Sequence, residues 1–99
     1  LIPSVAFPQV IVITQYPGAA PEIVEQDVST PIETAVQGIP GLDGSNATSS
    51  TGFSIVSASF AFGTDLVRTE QRVQLAINRL DLPFRAGLKR QSAGSTAGG

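Results

Sequence analysis

The chain has 99 residues, of which 41% are hydrophobic and 14% are charged, and its formal net charge is −2. It contains no Cys, His, Met or Trp. Disulfides, Cys/His zinc sites, Cys nucleophiles and His acid–base catalysis are therefore excluded within this chain. Six Lys and Arg against eight Asp and Glu leave no basic excess, which argues against a nucleic-acid partner.

The length fits one domain, and the apolar content is sufficient for a buried core. The charged fraction lies below the roughly 25% that is usual for soluble domains, which indicates either faces covered by neighbours or a secreted module with an uncharged surface. No apolar run approaches the roughly 18 residues that cross a bilayer, and no signal peptide is visible. Because translation starts at Met, we expect Leu1 to begin a processed chain or a fragment of a longer one.

The first predicted strand is a β-branched run at residues 10–16, bounded by Pro8 and Pro17. Both of its faces are apolar at first, so we expect a central strand that is covered on both sides.

Residues 20–37 have helical periodicity. Pro21 suits the first turn, where its missing N–H costs nothing, and Gly38 is placed to end the helix. Pro31 predicts a kink or a split, because it cannot donate a backbone hydrogen bond. The predicted buried stripe consists of Val24, Val28, Ile32 and Ala35.

Residues 42–51 are polar and weakly patterned, and are compatible with a strand or a loop. Residues 53–62 alternate with period two, which predicts a strand with one apolar face. We expect that face to pack beneath the helices through Val56, Ala58, Phe60 and Phe62.

A second helix is predicted to reach about Leu80, with either Thr64 or Asp65 as its N-cap. The predicted buried stripe of this helix consists of Leu66, Val73, Ile77 and Leu80. Its three arginines lie away from that stripe.

Residues 86–92 suggest one more short strand, and residues 92–99 have the composition of a linker.

The resulting order is strand, helix, weak strand, strand, helix, weak strand, which is the split β-α-β pattern. We therefore predict an α+β, ferredoxin-like domain with a four-stranded antiparallel sheet and two helices on one face. The predicted domain spans residues 1–91. Residues 92–99 are interpreted as a flexible Gly/Ser tail, either an engineered junction or a cut end.

Several short motifs occur in a characteristic order and spacing: Phe-Pro at 7–8, Gln-Tyr-Pro-Gly-Ala at 15–19, Thr-Pro-Ile-Glu at 30–33, Gly-Ile-Pro-Gly at 38–41 and Phe-Gly-Thr-Asp at 62–65. Together they resemble the first periplasmic (porter) subdomain of resistance-nodulation-division efflux transporters. The resemblance covers roughly residues 3–83. After Leu82-Pro83 the family usually has an acidic or Gly-rich turn, which this chain lacks, so the resemblance does not support the fourth strand.

The sheet face opposite the helices is the first candidate site. An apolar face of this kind is covered by another domain or by an amphiphilic ligand. The resemblance implies that it lies along the cleft in which such transporters hold small amphiphilic substrates, and intersubunit packing is the alternative. The candidate residues are Ile11, Ile13, Gln15, Phe53, Ile55 and Ser57, with Ser59 beside them.

The outer face of the second helix is the other candidate. Exposed Val and Leu alternating with amides suit a helix that meets copies of itself. The resemblance implies that this helix lines the central pore of a homotrimer, and an ordinary solvated face is the alternative. The residues are Val67, Gln71, Leu75 and Asn78.

No covalent chemistry, cofactor or metal site is expected, since Glu22 and Glu25 are explained by the helix dipole. The resemblance implies a fragment of a proton-driven multidrug efflux pump in the extracytoplasmic (periplasmic) part of a cell inner-membrane protein. Its partners would be the other porter subdomains and the transmembrane part of the same transporter. The alternative is a free-standing ferredoxin-like interaction or small-ligand-sensing domain.

Overall fold

The computed structural model describes the backbone of residues 8–91 and the side chains of residues 8–89. The predicted start of the domain and the predicted tail at 92–99 lie outside these residues. A first helical unit consists of α1 (Pro21–Val24), a π-helical turn (Glu25–Ser29) and α2 (Thr30–Val36). The remaining elements are β1 (Gln9–Gln15), β2 (Leu42–Ser50), β3 (Phe53–Phe60), α3 (Leu66–Asn78) and β4 (Ala86–Gln91).

The four strands form one sheet in the order β2-β3-β1-β4, and every neighbouring pair is antiparallel. This confirms the ferredoxin-like prediction and the central place of β1. Residues 42–50 are a strand rather than a loop, with a bulge at Leu42/Gly44. The predicted fourth strand forms as well, and it pairs with β1 through Leu88 opposite Val12.

The first helical unit differs from the prediction at Ala35. Val36, not Ala35, is fully buried, and Ala35 is only half-buried. The cause is the π turn immediately before Pro31: a wider turn contains an extra residue and shifts the face that later side chains present. The same turn accommodates the proline, since Pro31 has no N–H to donate to a carbonyl of the preceding turn.

Phe62 is the second correction. β3 ends at Phe60, and the chain then turns through Gly63, whose φ is +84°, so that Phe62 is 53% exposed. The period-two pattern continued past the point at which the strand stops. α3 begins after Asp65, whose carboxylate accepts a hydrogen bond of 3.2 Å from the Arg68 N–H.

The core lies between the sheet and the helices. β1 and β3 contribute their inward side chains, the helices contribute one stripe each, and Leu66 and Leu80 pack at the edge. The buried set is Val10, Val12, Val28, Ile32, Val36, Ile39, Val56, Ala58, Phe60, Val73 and Ile77. Within residues 8–91, no helix is long and apolar enough to cross a membrane.

Beneath the π turn, the helix contacts the sheet through hydroxyl groups rather than through apolar side chains. Ser29 Oγ lies 2.7 Å from Ser49 Oγ of β2 and 2.7 Å from Ser54 Oγ of β3. Ser29 and Ser54 are almost completely buried. We name Ser29, Ser49 and Ser54 the serine cluster. Because buried hydroxyls require partners, these three side chains satisfy one another at the place where the helix meets the sheet.

Candidate functional site

The sheet face turned away from the helices forms the first candidate site, here called the open face. The register places Ile13 of β1 opposite Ile55 of β3, and Gln15 opposite Phe53. Ile11 lies opposite Ser57. All six candidate residues therefore share one face of two neighbouring strands, because side chains alternate along a strand.

The apolar part of the open face is concentrated at one end of the sheet. Ile13 and Phe53 are 37% and 39% exposed, and Ile55 and Ile11 are half-buried. Directly opposite residues in antiparallel strands hold their Cβ atoms about 5 Å apart, so Ile13 and Ile55 form one continuous apolar surface. Within the described residues, the helices cover β1 on one side, as the predicted fold requires, and its other side belongs to the open face.

The edge strands supply residues that the sequence interpretation did not include. Thr48 lies opposite Ile55, Asn46 opposite Ser57 and Ser50 opposite Phe53. On the other side, β4 places Gly87 opposite Ile13 and Lys89 opposite Ile11. The absence of a side chain at Gly87 leaves Ile13 open on that side. Hydroxyl and amide groups, with the Lys89 ammonium at one edge, therefore surround a small apolar centre.

The outer face of α3 forms the second candidate site. Val67 and Leu75 are 51% and 59% exposed, and Gln71 and Asn78 are exposed as well. Asn78 accepts a 2.9 Å hydrogen bond from Gln74 Nε2 one turn earlier. The structure thus brings the four predicted helix residues onto one exposed surface, on the side of α3 away from the core.

A third arrangement joins the end of β1 to the π turn. Tyr16 donates a 3.1 Å hydrogen bond to Asp27 Oδ2, and its ring lies 5.4 Å from the Phe84 ring at 53°. The hydrogen bond to Asp27 raises the pKa of Tyr16, with smaller contributions from burial and from the Asp27 charge. No local sequence pattern predicts the contact between Tyr16 and Asp27, because the two residues lie 11 positions apart in different elements.

The chemistry available to these surfaces is non-covalent. Within the described residues, no group of three or more His, Cys, Asp or Glu side chains is placed to hold a metal ion. The open face offers apolar area, hydroxyls and amides, which suit shape-tolerant recognition of small molecules.

Comparison with known proteins gives a family. A sequence profile of the AcrB/AcrD/AcrF family matches residues 1–96. Crystal structures of a heavy metal efflux pump in two crystal forms are similar to this chain, with TM-scores of 0.78 and 0.76, both at 32% sequence identity. Each covers 91% of this chain, whereas the chain spans only 10% and 9% of theirs.

Proposed function

Because the chain belongs to the AcrB/AcrD/AcrF family of resistance-nodulation-division efflux transporters, we propose that it is the first porter subdomain of such a pump and that its open face borders the substrate cleft. The subdomain would bind cargo and change access to it as subdomains tilt against one another, without covalent catalysis. The pump would be proton-driven, with its proton-carrying groups in transmembrane helices. The subdomain itself would lie on the periplasmic side of the inner membrane.

The composition of the open face carries this proposal. Ile13, Ile55 and Phe53 form an exposed apolar centre, and Thr48 and Gln15 belong to a polar rim that carries no acidic side chain. An apolar surface with a few hydrogen-bonding groups accepts ligands of different shapes, since few of its contacts are directional. Amphiphilic compounds match both parts of this surface.

The same composition favours amphiphiles over metal ions as the cargo that this subdomain touches. The structural relatives are heavy metal pumps, and soft metal ions are held by thiolate, thioether and imidazole ligands. The chain contains no Cys, Met or His.

The exposed face of α3 supports a second contact, with copies of the same chain around the axis of a homotrimer. Val67 and Leu75 expose more than half of their surface while Gln71 and Asn78 supply amides beside them. A symmetric assembly repeats one such surface around its axis. The remaining partners would be the other porter subdomains, packed at the edges of this one.

Substitutions at the centre of the open face test the proposed cleft. In the full-length pump, Ile13→Asp combined with Ile55→Asp places two carboxylates on the apolar surface. We expect transport of amphiphilic dyes in proteoliposomes to fall at least tenfold per transporter molecule. Binding an apolar ligand against the two carboxylates would remove water from them, which costs free energy and weakens binding.

Ile23→Asp is the matched control, because Ile23 is 42% exposed on α1, away from the open face. It introduces the same charge at a similar exposure and is expected to leave transport within twofold of the parent. If the double variant transports every amphiphile tested at the parental rate with equal reconstitution, the open face does not contact substrate and the proposal is wrong.

A further inference from the structure

The helix side of the domain contains a groove that the proposed cleft does not use. It is an open surface groove between the end of α2 and the exposed side of α3, with a volume of about 310 Å³. That volume is at the lower end of the roughly 300–1,000 Å³ that small-molecule sites occupy. The groove is lined by Ala35, Gly38, Ile39, Pro40, Arg72, Leu75, Ala76 and Arg79.

The guanidinium groups of Arg72 and Arg79 line this groove beside its apolar residues. Arg72 and Arg79 are seven residues apart, so their Cα atoms are separated by about 10.5 Å along the helix axis. Seven residues make nearly two whole turns, which puts both side chains on the same side of the helix. Each side chain is long enough to reach the middle of that interval, so the two can converge on one anionic group.

Neither guanidinium is neutralised within the part of the chain that the structure describes. The side chains of Arg72 and Arg79 are exposed and have no hydrogen-bond or ion-pair partner among residues 8–89. The groove lining contains no Asp or Glu. Two acidic residues of the first helical unit bond elsewhere: Asp27 accepts from Tyr16, and Glu33 accepts from Ser45 of β2.

We propose that this groove binds a small organic anion with a flat apolar body, such as an aryl sulfonate or aryl carboxylate. A guanidinium group can donate two parallel N–H bonds to the two oxygens of a carboxylate or to two of the three oxygens of a sulfonate. The apolar floor of Ile39, Pro40 and Leu75 takes the ring system. Leu75 also belongs to the exposed α3 face, so the groove opens beside the proposed trimer contact.

This site is separate from the open face, because the sheet lies between the two. It does not depend on the proposed cleft. Loss of anion binding at the groove and loss of transport at the open face are therefore independent results.

Isothermal titration calorimetry of the full-length transporter in lipid discs tests the site by measuring the affinity for three probes. Naphthalene-2-sulfonate has both the charge and the rings, naphthalene-2-sulfonamide keeps the rings and is neutral, and methanesulfonate keeps the charge without rings. We expect the first probe to bind at least tenfold more tightly than either of the others. Equal affinities for the sulfonate and the sulfonamide, or for the two sulfonates, would overturn the proposal.

Paired variants locate the binding site. Arg72→Gln with Arg79→Gln is expected to remove the preference for naphthalene-2-sulfonate and to leave sulfonamide binding within twofold. The matched control is Arg68→Gln, which removes a charge from the same exposed side of α3 at a residue that does not line the groove. A loss of the preference in the Arg68 variant equal to that in the double variant would show a general charge effect and refute a site in the groove.

Discussion

Replacing Ser29 by Ala is expected to destabilise the domain by about 2 kcal/mol. The substitution removes two hydroxyl contacts of 2.7 Å each, to Ser49 and to Ser54. A net contribution of roughly 0.5–1.5 kcal/mol for each hydrogen bond gives about 2 kcal/mol for the pair. The better helix propensity of Ala offsets only about 0.5 kcal/mol, and the buried Ser54 hydroxyl that loses its partner adds a further cost.

A double-mutant cycle isolates the part of that cost that comes from Ser54. Ser54 is fully buried, whereas Ser49 is only half-buried and can bond to water instead. Adding Ser54→Ala to Ser29→Ala removes the unpaired hydroxyl, so the double variant should be no less stable than Ser29→Ala alone. The two single costs should therefore exceed the cost of the double variant by about 1–2 kcal/mol.

Urea denaturation of the 99-residue chain measures these differences. With a slope of about 2 kcal/mol per molar urea, the Ser29 variant should unfold at a urea concentration about 1 M lower than the parent. Ser57→Ala is the control, since Ser57 lies on the open face and its contact with the Asn46 carbonyl is long, at 3.5 Å. Its effect should stay within about 0.5 kcal/mol. Additive costs at Ser29 and Ser54, or equal costs at Ser29 and Ser57, would refute a coupled hydroxyl cluster.

Two further predictions concern the tyrosine and the trimer. Tyr16 is the chain's one tyrosine, so its absorbance titration should have a midpoint above 10.0, and Asp27→Asn should lower that midpoint. Because folding raises the pKa of Tyr16, the stability contributed by its hydroxyl proton is fully present below pH 10 and is lost as the pH rises through the folded pKa. A titration midpoint at or below 10.0 would contradict the hydrogen bond to Asp27. In the proposed homotrimer of the full-length transporter, Val67→Asp with Leu75→Asp should yield monomers in light scattering, whereas Ile23→Asp should leave the oligomeric state unchanged. An intact trimer in the double variant would rule out that helix face as the contact.

The fold was predictable where one face of an element is apolar and the other is not. β3 and α3 have such patterns, and their positions agree with the prediction to within about two residues. β2 has no such pattern, because its inward residues Ser45 and Ser49 are as polar as the outward Asn46 and Thr48. Its strand conformation comes from pairing with β3, a contact between segments that no local pattern encodes.

The error at Ala35 has a signature in the sequence that can be read in retrospect. Val24, Val28, Ile32 and Val36 are spaced by four residues each. On an ideal α-helix, four-residue steps drift by about 40° each, so Val36 would lie about 120° away from Val24. A π turn winds more loosely and removes part of that drift. In this chain, the four-residue spacing next to a proline accompanies a π turn.

The candidate site was predictable only for its two central strands. The alternation in β1 and β3 identifies which side chains share a face, and their register brings Ile13 and Ile55 together as expected. The edges were missed because their contribution depends on register alone: Thr48 and Gly87 reach the open face through their pairing partners. The arginine pair of the groove was seen only as lying away from the core, since the floor beneath it comes from another helix.

The polar contacts of the π turn specify how the first helical unit sits on the sheet. A stripe of valines spaced by four residues would keep similar apolar contacts if the helix slid along the sheet by one turn, because dispersion and burial are not directional. The hydrogen bonds of Asp27 to Tyr16 and of Ser29 to the serine cluster would not survive that movement. These polar contacts thus disfavour the shifted packing in addition to the stability that they contribute. Because α2 continues directly from the π turn and contains Ala35, the same contacts also position the α2 side of the groove opposite Arg72 and Arg79.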